Sequence, residues 1–342
     1  MIFVTGSAGF IGSNFVTEWL SRRKGQVISY DKLTYAGNLM NLDSCLKDSR
    51  HTFIKGDICQ TDRLTKIFRD FEPSLIINFA AESHVDRSIA SPKPFFETNV
   101  IGTLGLFEAC RRYFETLSGN KKKNFRVLQI SSDEVYGSLS KKGKSFTEEN
   151  RYKPNSPYSA SKASSDHIAR SYYVSYSLPV LISNCSNNYG PFQHPEKIIP
   201  KTITNLLSGK KVPIYGNGQQ IRDWLFVKDN CKAQIKILEE GAIGQVYNVG
   251  GDNEKENLEV VELVCDLMQK LKPESRGRSY KDLISFVEDR PGHDYRYSID
   301  HSKISTNLSW EPKESFESGL QKTLKWYLKN DMWVKKILEE SR

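Results

Sequence analysis

Short apolar runs alternate with amphipathic stretches through the first half of the chain, and this alternation constrains the fold more than any other feature. The runs predict strands at 2–4, 27–30, 52–54, 75–79, 127–130 and 178–183, and the stretches predict helices at 14–23, 61–70, 99–114 and 159–176. Elements that alternate at this spacing form βαβ units around a parallel sheet. Parallel strands covered on both faces should be apolar throughout, as these runs are. We therefore expect an α/β fold with a doubly wound, mostly parallel sheet.

The pattern changes in the second half of the chain. Residues 187–220 are rich in Pro, Gly and Asn, and the later segments predict helices at 198–207, 230–239, 257–270 and 315–328 and strands at 224–227, 247–249 and 285–287. The helix at 315–328 is expected to be the last and to lie on the surface. We expect residues 1–186 to form the main domain, with 221–250 threading back into it. Residues 187–220 and 251–342 should form a smaller, mixed α/β lobe.

Composition narrows the classes of function. Of the 342 residues, 38% are apolar and 26% are charged, a balance that can bury a core and argues against disorder. No apolar run approaches the roughly 18 residues of a membrane span, and no secretory signal is visible at the N-terminus. The six cysteines are far apart in sequence, which favours free thiols in a reducing cytosol. We expect a cytoplasmic protein with no membrane span and no bound metal.

The net charge of +8 does not indicate a nucleic-acid-binding protein. The positive residues are spread along the chain, and their densest clusters, at 121–123 and 141–144, lie in polar stretches typical of solvated loops. A basic balance also suits a pocket for an anionic substrate such as a diphosphate. We expect no nucleic-acid partner.

Residues 6–12 read GSAGFIG and come directly after the first predicted strand. Glycines let the backbone pass close to a pyrophosphate, and the start of the following helix offers N–H donors and a positive dipole end. Asp31 ends the second predicted strand, where an acid binds an adenosine ribose diol and repels a 2′-phosphate. The arrangement predicts a Rossmann domain that binds NAD rather than NADP. Lys32 weakens this preference slightly, and an ordinary βα turn is the alternative.

Two further pairs follow predicted strands of the same sheet. Asp57 and Ile58 could meet the adenine, although Asp57 could equally be a turn residue. Ala80 and Ala81 stand at the carboxyl end of their strand, where open α/β sheets bind ligands and small residues leave room for a cofactor. Tight packing without a functional role is the alternative for the two alanines.

Tyr158 and Lys162 form a Y-x-x-x-K pair on a predicted helix, where residues four apart share a face. A nearby ammonium stabilises phenolate and lowers the pKa of the phenol. Such a tyrosine could take a proton from a sugar hydroxyl while a hydride leaves the same carbon. The pair is common by chance. It is informative here because it follows a dinucleotide-binding motif and a strand that ends in Ser131 and Ser132.

Asp133 and Glu134 follow those serines at the end of the strand. Two neighbouring carboxyl groups, or one buried carboxyl group, raise a pKa so that one group donates a proton while the other accepts one. A polar turn that caps the strand is the alternative. Adjacent side chains of a regular strand point to opposite faces, so both carboxyl groups could not reach one sugar from a strand. We therefore predict that regular strand geometry ends at about Ser131 or Ser132.

Together these residues resemble the extended short-chain dehydrogenase/reductase family, and the resemblance covers nearly the whole chain. The segments that carry it are 4–12, 30–38, AAESHVDRS at 80–88, SDEVYG at 132–137, PYSASKA at 157–163, 184–191, 195–197, 221–224 and DRPGHD at 289–294. The adjacent Asp133 and Glu134 are typical of its nucleotide-sugar 4,6-dehydratases, since sibling 4-epimerases generally carry small residues there. The resemblance implies a tightly held NAD, an internal hydride transfer from C4 to C6 of the sugar, and loss of water.

The resemblance also implies roles for individual residues. Tyr158 would take the O4 proton with Ser132 holding the same oxygen, Glu134 would remove the C5 proton, and Asp133 would protonate the departing C6 hydroxyl. Lys162 completes the catalytic set. The positions that match cofactor contacts are Gly6, Gly9, Phe10, Ile11, Gly12, Asp31, Lys32, Thr34, Asp57, Ile58, Ala80, Ala81, Ser83, Thr98, Tyr158, Lys162 and Asn188. Those that match the sugar-nucleotide pocket are Ser83, Ser132, Asn187, Lys197, Ile198, Pro213, Ile214, Tyr215, Arg222, Asn257, Asp289, Arg290 and His293.

Some of these positions have alternatives. Arg222 and Arg290 suit diphosphate clamps because a guanidinium presents a fork of donors to phosphate. Asn257 could instead cap the helix that follows it, and Tyr215 could be a core aromatic rather than a platform for the nucleotide base. Ser132 stands where the family usually has Thr, and the stretch between residues 137 and 158 is shorter than usual.

The implied substrate is dTDP-glucose, and a UDP- or GDP-linked sugar is the alternative because a single methyl group distinguishes thymine from uracil. A 4-epimerase or decarboxylase is less favoured because of Asp133 and Glu134. A non-catalytic Rossmann protein that senses NAD or binds RNA is the alternative from another class. The family also implies a homodimer through the helices near 99–114 and 159–176, although apolar faces there could equally belong to the core.

Overall fold

A computed structural model describes residues 1–23, 25–274 and 277–340. Its strands are β1 (Ile2–Thr5), β2 (Val27–Asp31), β3 (His51–Lys55), β4 (Leu75–Asn78), β5 (Arg126–Ser132), β6 (Val180–Cys185), β7 (Asn187–Tyr189), β8 (Val212–Tyr215), β9 (Ile221–Phe226), β10 (Val246–Val249), β11 (Glu254–Glu256) and β12 (Ile284–Val287). Its helices are α1 (Phe10–Arg22), α2 (Asp43–Leu46), α3 (Thr61–Phe71), α4 (Val85–Ala90), α5 (Lys93–Phe96), α6 (Thr103–Thr116), α7 (Gly119–Lys123), α8 (Pro157–Tyr176), α9 (Ile198–Leu207), α10 (Val227–Glu240), α11 (Asn257–Leu271), α12 (Ser302–Leu308), α13 (Phe316–Lys329) and α14 (Asp331–Glu340).

The main sheet is parallel throughout and, over the described residues, has seven strands in the order β3-β2-β1-β4-β5-β6-β10. The inner strands β1 and β2 are buried along their whole length, whereas the edge strand β3 is buried only in part. Continuous burial is expected where helices cover both faces of a parallel sheet. The predicted doubly wound, mostly parallel sheet is confirmed.

Two apolar layers cover the sheet. On one face, Phe15 and Trp19 of α1 pack with Ile235 and Leu238 of α10 against the strands. On the other face, the helices α3, α6 and α8 contribute the side chains of the second layer, among them Phe68, Phe107 and Tyr172. Because the strands are sandwiched between these layers, their carboxyl ends form a fixed edge on which a site can be built.

A third apolar cluster lies outside the main sheet. It joins α9, α11, α13 and α14 to a three-stranded sheet of order β11-β9-β7, and it includes Trp224, Val261, Leu320 and Trp333. A two-stranded parallel sheet pairs β12 with β8. The strand predicted at 224–227 is part of β9, which joins the small sheet, and the strand predicted at 247–249 is part of β10, at the edge of the main sheet. The helix predicted at 315–328 is present as α13 but is not the last, because α14 follows it.

The helix predicted at 99–114 is interrupted. Residues Glu97–Gly102 form a π-helical turn before α6 begins. The turn carries Asn99, whose amide donates to the Glu82 carbonyl at 3.0 Å and to the Ser161 hydroxyl at 2.8 Å. Such turns are often found at functional sites, and this one ties the loop after β4 to the start of α8.

Along the described chain, no helix is both long and apolar enough to cross a membrane.

Candidate active site

One cleft runs along the carboxyl ends of the main-sheet strands. It is bounded by the loops after β1, β2 and β4, by the end of β5 and by the first turns of α8. Every residue predicted to contact a cofactor lines this cleft, from Gly6 at one end to Asn188 at the other. The sheet edge therefore brings together segments that are far apart in sequence, as expected for an open α/β fold.

The glycines of the first turn are required by close backbone packing. Gly6 has a φ of +61°, and a Cβ there would lie 2.5 Å from the Ala80 nitrogen. A Cβ on Gly12 would collide with the Gly6 carbonyl. The following helix α1 has Gly9 at its N-cap, with no side-chain cap and no acidic residue in its first turn. Its N-terminus therefore keeps donors and a positive dipole end for an anion.

Asp31 is buried at the end of β2 and fixes the glycine turn. Its carboxylate accepts the Ala8 N–H at 2.9 Å and the Leu33 N–H at 2.8 Å. Burial raises the pKa of Asp31, and these two backbone bonds oppose that rise. The neighbouring Lys32 pairs with Asp57 at 2.7 Å, so its charge is balanced locally. Lys32 counted against the predicted preference for NAD over NADP, and this ion pair weakens that objection.

The end of β5 forms the floor of the cleft. Regular strand geometry ends at Ser132, and residues Asp133–Tyr136 form a 3₁₀ turn whose N-cap is Ser132, accepting the Glu134 N–H at 3.3 Å. The predicted end of the strand is confirmed. One carboxylate oxygen of Asp133 and one of Glu134 are buried without a hydrogen-bond partner among the described residues. Unpartnered buried acceptors are rare in folded proteins, so they indicate groups kept for a ligand.

The surroundings of the two carboxyl groups differ. Burial, followed by the charge of Glu134, raises the pKa of Asp133 well above its usual value. Burial also raises the pKa of Glu134, but the positive charges of Arg290, Arg222 and Lys197 oppose that rise. Burial and a like charge thus favour the protonated form of Asp133, whereas the nearby cations favour the ionised form of Glu134.

Tyr158 stands in the first turn of α8 beside this pair. A reciprocal capping box between Ser156 and Ser159 fixes where the helix begins. Burial, followed by the charge of Glu134, raises the pKa of Tyr158 well above its usual value, while a hydrogen bond with Ser132 lowers it. The sequence analysis predicted that Lys162 lowers the pKa of Tyr158. For the protein alone this prediction is wrong, because the net pKa of Tyr158 is raised. The Lys162 ammonium is directed to the Ile130 carbonyl, to which it donates at 2.6 Å.

A second cleft adjoins the first and lies between α4, α9, β8, β9 and the segment around Arg290. Glu134, Asn187 and Lys197 line both clefts, so a ligand that fills the second cleft would meet the cofactor cleft at Glu134. Of the residues predicted for the sugar-nucleotide pocket, Ser83 and Ser132 line the first cleft. The second is lined by Asn187, Lys197, Ile198, Pro213, Ile214, Tyr215, Arg222, Asn257, Arg290 and His293.

Asp289 is not among the residues that line either cleft. Its carboxylate lies 2.6 Å from the His293 ring nitrogen Nδ1 and accepts the Gln220 amide at 2.9 Å. Burial lowers the pKa of His293 to about 4, so the ring is neutral at physiological pH. Asp289 therefore orients His293, and the direct substrate contact predicted for it stays a prediction.

The two arginines of the second cleft are held differently. Arg222 is buried, donates to the carbonyls of Ile221 at 2.7 Å and Asp294 at 3.0 Å, and stacks on the Tyr297 ring. Arg290 donates to Asp86 at 3.1 Å, while its Nε is buried without a partner among the described residues. Arg290 thus has a free donor inside the cleft, whereas most of the Arg222 fork is used by the backbone.

Two alternatives raised by the sequence are decided by geometry. Helix α11 begins at Asn257 with Glu256 at its N-cap, and no side chain caps it, so Asn257 lines the cleft and is not a cap. Tyr215 is 36% exposed, and its hydroxyl donates to Asp86 at 3.0 Å. It is therefore not a core aromatic.

Several residues of the two clefts were missed by the sequence predictions. They include Asp86, which receives Arg290 and Tyr215, and Glu196, which lies within 3.8 Å of His84 and His194. Asp86 falls within the AAESHVDRS segment but has no periodic or motif signal of its own. Over the described residues, no group of three or more His, Cys, Asp or Glu side chains could hold a metal ion.

Fold and site together define a dinucleotide-binding α/β protein with two buried carboxyl groups beside a tyrosine. A family model described as GDP-mannose 4,6 dehydratase matches residues 3–323, and the chain belongs to that family. The dTDP-glucose 4,6-dehydratase of Xanthomonas campestris pv. campestris is 51% identical over 338 residues, covering 99% of this chain and 96% of its own. The resemblance indicated by the motifs is confirmed.

Solved structures agree with this placement. The dTDP-glucose 4,6-dehydratase of Bacillus anthracis in complex with NAD is 47% identical, with a TM-score of 0.86 covering 98% of this chain and 99% of that one. The corresponding enzyme of Streptomyces venezuelae with NAD bound is 41% identical, with a TM-score of 0.90 and the same coverage.

Proposed function

We propose that this protein converts dTDP-glucose to dTDP-4-keto-6-deoxy-glucose, with NAD as a retained cofactor and water as the second product. The observation that carries the proposal is the buried pair of Asp133 and Glu134 at the junction of the two clefts, beside Tyr158. An epimerisation at C4 has no need of two such carboxyl groups. The names and bound NAD of the similar enzymes support the same conclusion.

The first cleft fits NAD in shape and in chemistry. Gly6 and Gly12 sit where a Cβ would collide with backbone, the uncapped start of α1 faces the cleft, and Asp31 stands at the ribose position. When bound, NAD accepts a hydride from one sugar carbon, returns it to another, and brings a positive charge that lowers the pKa of a neighbouring phenol. Asp31, Thr34 and Asp57 would hold its adenosine half, and Lys162 and Asn188 its nicotinamide half.

Four side chains at the junction of the two clefts would carry the proton transfers. Tyr158 takes the proton of the sugar O4 hydroxyl while Ser132 holds the same oxygen. A ketone at C4 acidifies the C5–H bond, and Glu134 removes that proton. Asp133 donates its proton to the C6 hydroxyl, which leaves as water, and Glu134 gives its proton back to C5 once C6 has regained the hydride. The two carboxyl groups suit these roles because cations lower the pKa of Glu134 while burial and a like charge raise that of Asp133.

The second cleft would bind the nucleoside diphosphate. The free Nε of Arg290 and the ammonium of Lys197 supply positive charge for the phosphates. Tyr215 presents a half-exposed ring for the base, with its hydroxyl fixed by Asp86. His293, neutral and held by Asp289, offers a polar edge beside it.

Mass spectrometry of separate incubations with dTDP-glucose, UDP-glucose and GDP-mannose tests the proposal. We expect loss of one water from dTDP-glucose and much slower or no loss from the other two. Water loss from UDP-glucose or GDP-mannose instead would support the proposed mechanism but show that the substrate is a different nucleotide sugar. If none of the three changes, while a control dehydratase converts its substrate, the proposed activity is wrong.

We also propose that two copies pair through α6 and α8. Exposed apolar side chains on and next to these helices support this, among them Ile101 at 56%, Leu104 at 42% and Val174 at 62% exposure. Light scattering should give twice the monomer mass, and Leu104→Asp should reduce it to the monomer mass. A wild-type monomer at micromolar concentration would contradict the proposal.

The domain division proposed for the chain follows the predicted boundaries, with 1–186 and 221–250 in the NAD-binding domain and the remainder in the substrate lobe. The placement of β10 in the main sheet supports it, whereas β9 belongs to the small sheet with β7 and β11 and does not. A cytoplasmic location is proposed as well, since all six cysteines are free thiols.

A further inference from the structure

Asp166 lies one helical turn after Lys162 on α8 and has no role in the mechanism above. Its side chain is only 2% exposed. The Ser131 hydroxyl, at the end of β5, donates to its carboxylate at 2.6 Å. A buried carboxylate is costly unless it is hydrogen-bonded or faces a positive charge, so its retention next to the active site needs a reason.

The positive charge that faces Asp166 is that of Lys162. The two residues share a face of α8 because they are four apart, and the charge of Asp166 raises the pKa of Lys162 against the lowering caused by burial. In return, Lys162 lowers the pKa of Asp166, which burial raises to about 6. The ammonium itself donates to the Ile130 carbonyl at 2.6 Å, which is neutral and does not balance its charge.

Other ionisable groups border this pair. Cys185 faces Lys162 from β6, with its pKa raised to about 12 by burial, so its thiol is neutral. The Tyr152 hydroxyl lies beside Asp166 and is also neutral, since burial raises its pKa. His167 and Arg170 line a separate cavity with Asp166. Asp166 is thus the group that supplies negative charge to Lys162.

We propose that Asp166 is a positioning residue that keeps Lys162 in its ammonium form inside the cofactor cleft. The inference rests on the proposed function for its link to turnover. Its physical core, the coupling of the two charges, does not depend on which sugar is converted. The four-residue spacing of Lys162 and Asp166 can be read from the sequence. Only the structure shows that Asp166 is buried, and burial is what distinguishes this pair from an exposed one.

Two variants separate charge from shape. Asp166→Asn keeps the size of the side chain and removes the charge, whereas Ser131→Ala keeps the charge and removes one hydrogen bond. The Lys162 Cε resonance of ¹³C-lysine-labelled protein, assigned by its loss in Lys162→Arg, reports the lysine charge directly. In Asp166→Asn we expect the Lys162 titration to move to lower pH by about one unit. In Ser131→Ala it should stay within about 0.3 unit of the wild type.

Turnover gives a second readout. A neutral lysine cannot support Tyr158, so the alkaline limb of the pH–rate profile should move to lower pH in Asp166→Asn and stay in place in Ser131→Ala. An equal loss of rate at every pH would indicate a merely structural role and overturn the proposal. So would a Lys162 titration that is identical in Asp166→Asn and wild type.

The wild-type protein alone also tests the proposal if Asp166→Asn fails to fold. Because burial raises the pKa of Asp166 to about 6, the Lys162 resonance should show a minor inflection near that pH. Absence of this inflection would contradict the coupling. If no nucleotide sugar is converted, the proposed function fails while the resonance measurements still decide the role of Asp166.

Discussion

The two clefts meet at Glu134 but are built in different ways. The cofactor cleft is made by short motifs at the ends of neighbouring strands of one sheet, and close backbone packing fixes it. The second cleft, proposed to bind the sugar nucleotide and called the sugar-nucleotide cleft below, is made by segments distant in sequence, such as Asp86 on α4 and Arg290 after β12. Side-chain pairs hold it together. The first should therefore be rigid and intolerant of added volume. The second should tolerate substitution and respond mainly in affinity.

The largest effect is expected at the junction of the two clefts. Tyr158→Phe removes the group proposed to accept the O4 proton, and the rate should fall by about 10³-fold with no NADH formed. Tyr176→Phe makes the same change on the same helix, at a side chain that is 50% exposed, and should leave the rate unchanged. Stopped-flow absorbance of NADH and product analysis measure both variants. A Tyr158→Phe rate within tenfold of wild type would remove Tyr158 from the mechanism.

The next effect concerns the proton that Asp133 holds. Since burial and the charge of Glu134 raise its pKa well above the usual value, the protonated form of Asp133 is favoured, and activity should fall as pH rises through that pKa. Asp133→Asn should slow water loss by about 10²-fold and remove this dependence, while oxidation at C4 continues. The rate of water loss, measured as a function of pH in both proteins, tests this. If the rate of Asp133→Asn falls at alkaline pH as the wild-type rate does, Asp133 is not the proton donor.

A smaller effect is expected from added volume in the cofactor cleft. The Cβ of Gly12→Ala would collide with the Gly6 carbonyl, so unfolding free energy should drop by about 1–3 kcal/mol and retained NAD should decrease. Gly25→Ala places its Cβ in open space and serves as the matched control. Denaturant unfolding and cofactor content measure both. Equal stability of the two variants would show that the glycine turn is not closely packed.

The smallest of these effects is expected in the sugar-nucleotide cleft. Arg290→Ala should raise KM about tenfold with a smaller change in kcat, because a donor to the diphosphate is lost. Arg290 also lowers the pKa of Glu134, so the acid limb of the pH profile should move to higher pH. The exposed Arg69→Ala is the control. A fall in kcat alone would contradict a binding role.

The contrast between the clefts also explains what the sequence could predict. Gly6, Asp31, Ala81 and Lys162 belong to local patterns tied to strand ends and helix turns, and a parallel sheet brings all strand ends to one edge. The grouping of these residues in one cleft was therefore predictable, as was the end of β5 at Ser132. That prediction followed from the fact that neighbouring side chains of a strand cannot face one ligand.

What could not be predicted depends on contacts between distant segments. Asp289 supports His293 without lining a cleft, and Asp86 holds Arg290 and Tyr215, and neither fact follows from spacing along the chain. The net rise in the pKa of Tyr158 depends on burial and on Glu134, which outweigh any effect of Lys162. The π-helical turn that carries Asn99 looks like ordinary helix in sequence, because the difference lies only in the hydrogen bonds.

Single turnover of dTDP-glucose by Glu134→Gln tests the central claim, that the buried carboxyl pair removes the C5 proton and then water. The variant can still oxidise C4 but cannot take the C5 proton. Mass spectrometry should therefore show a sugar that has lost two hydrogen atoms and no water, with NADH accumulating. Loss of water at the wild-type rate from Glu134→Gln would contradict the account.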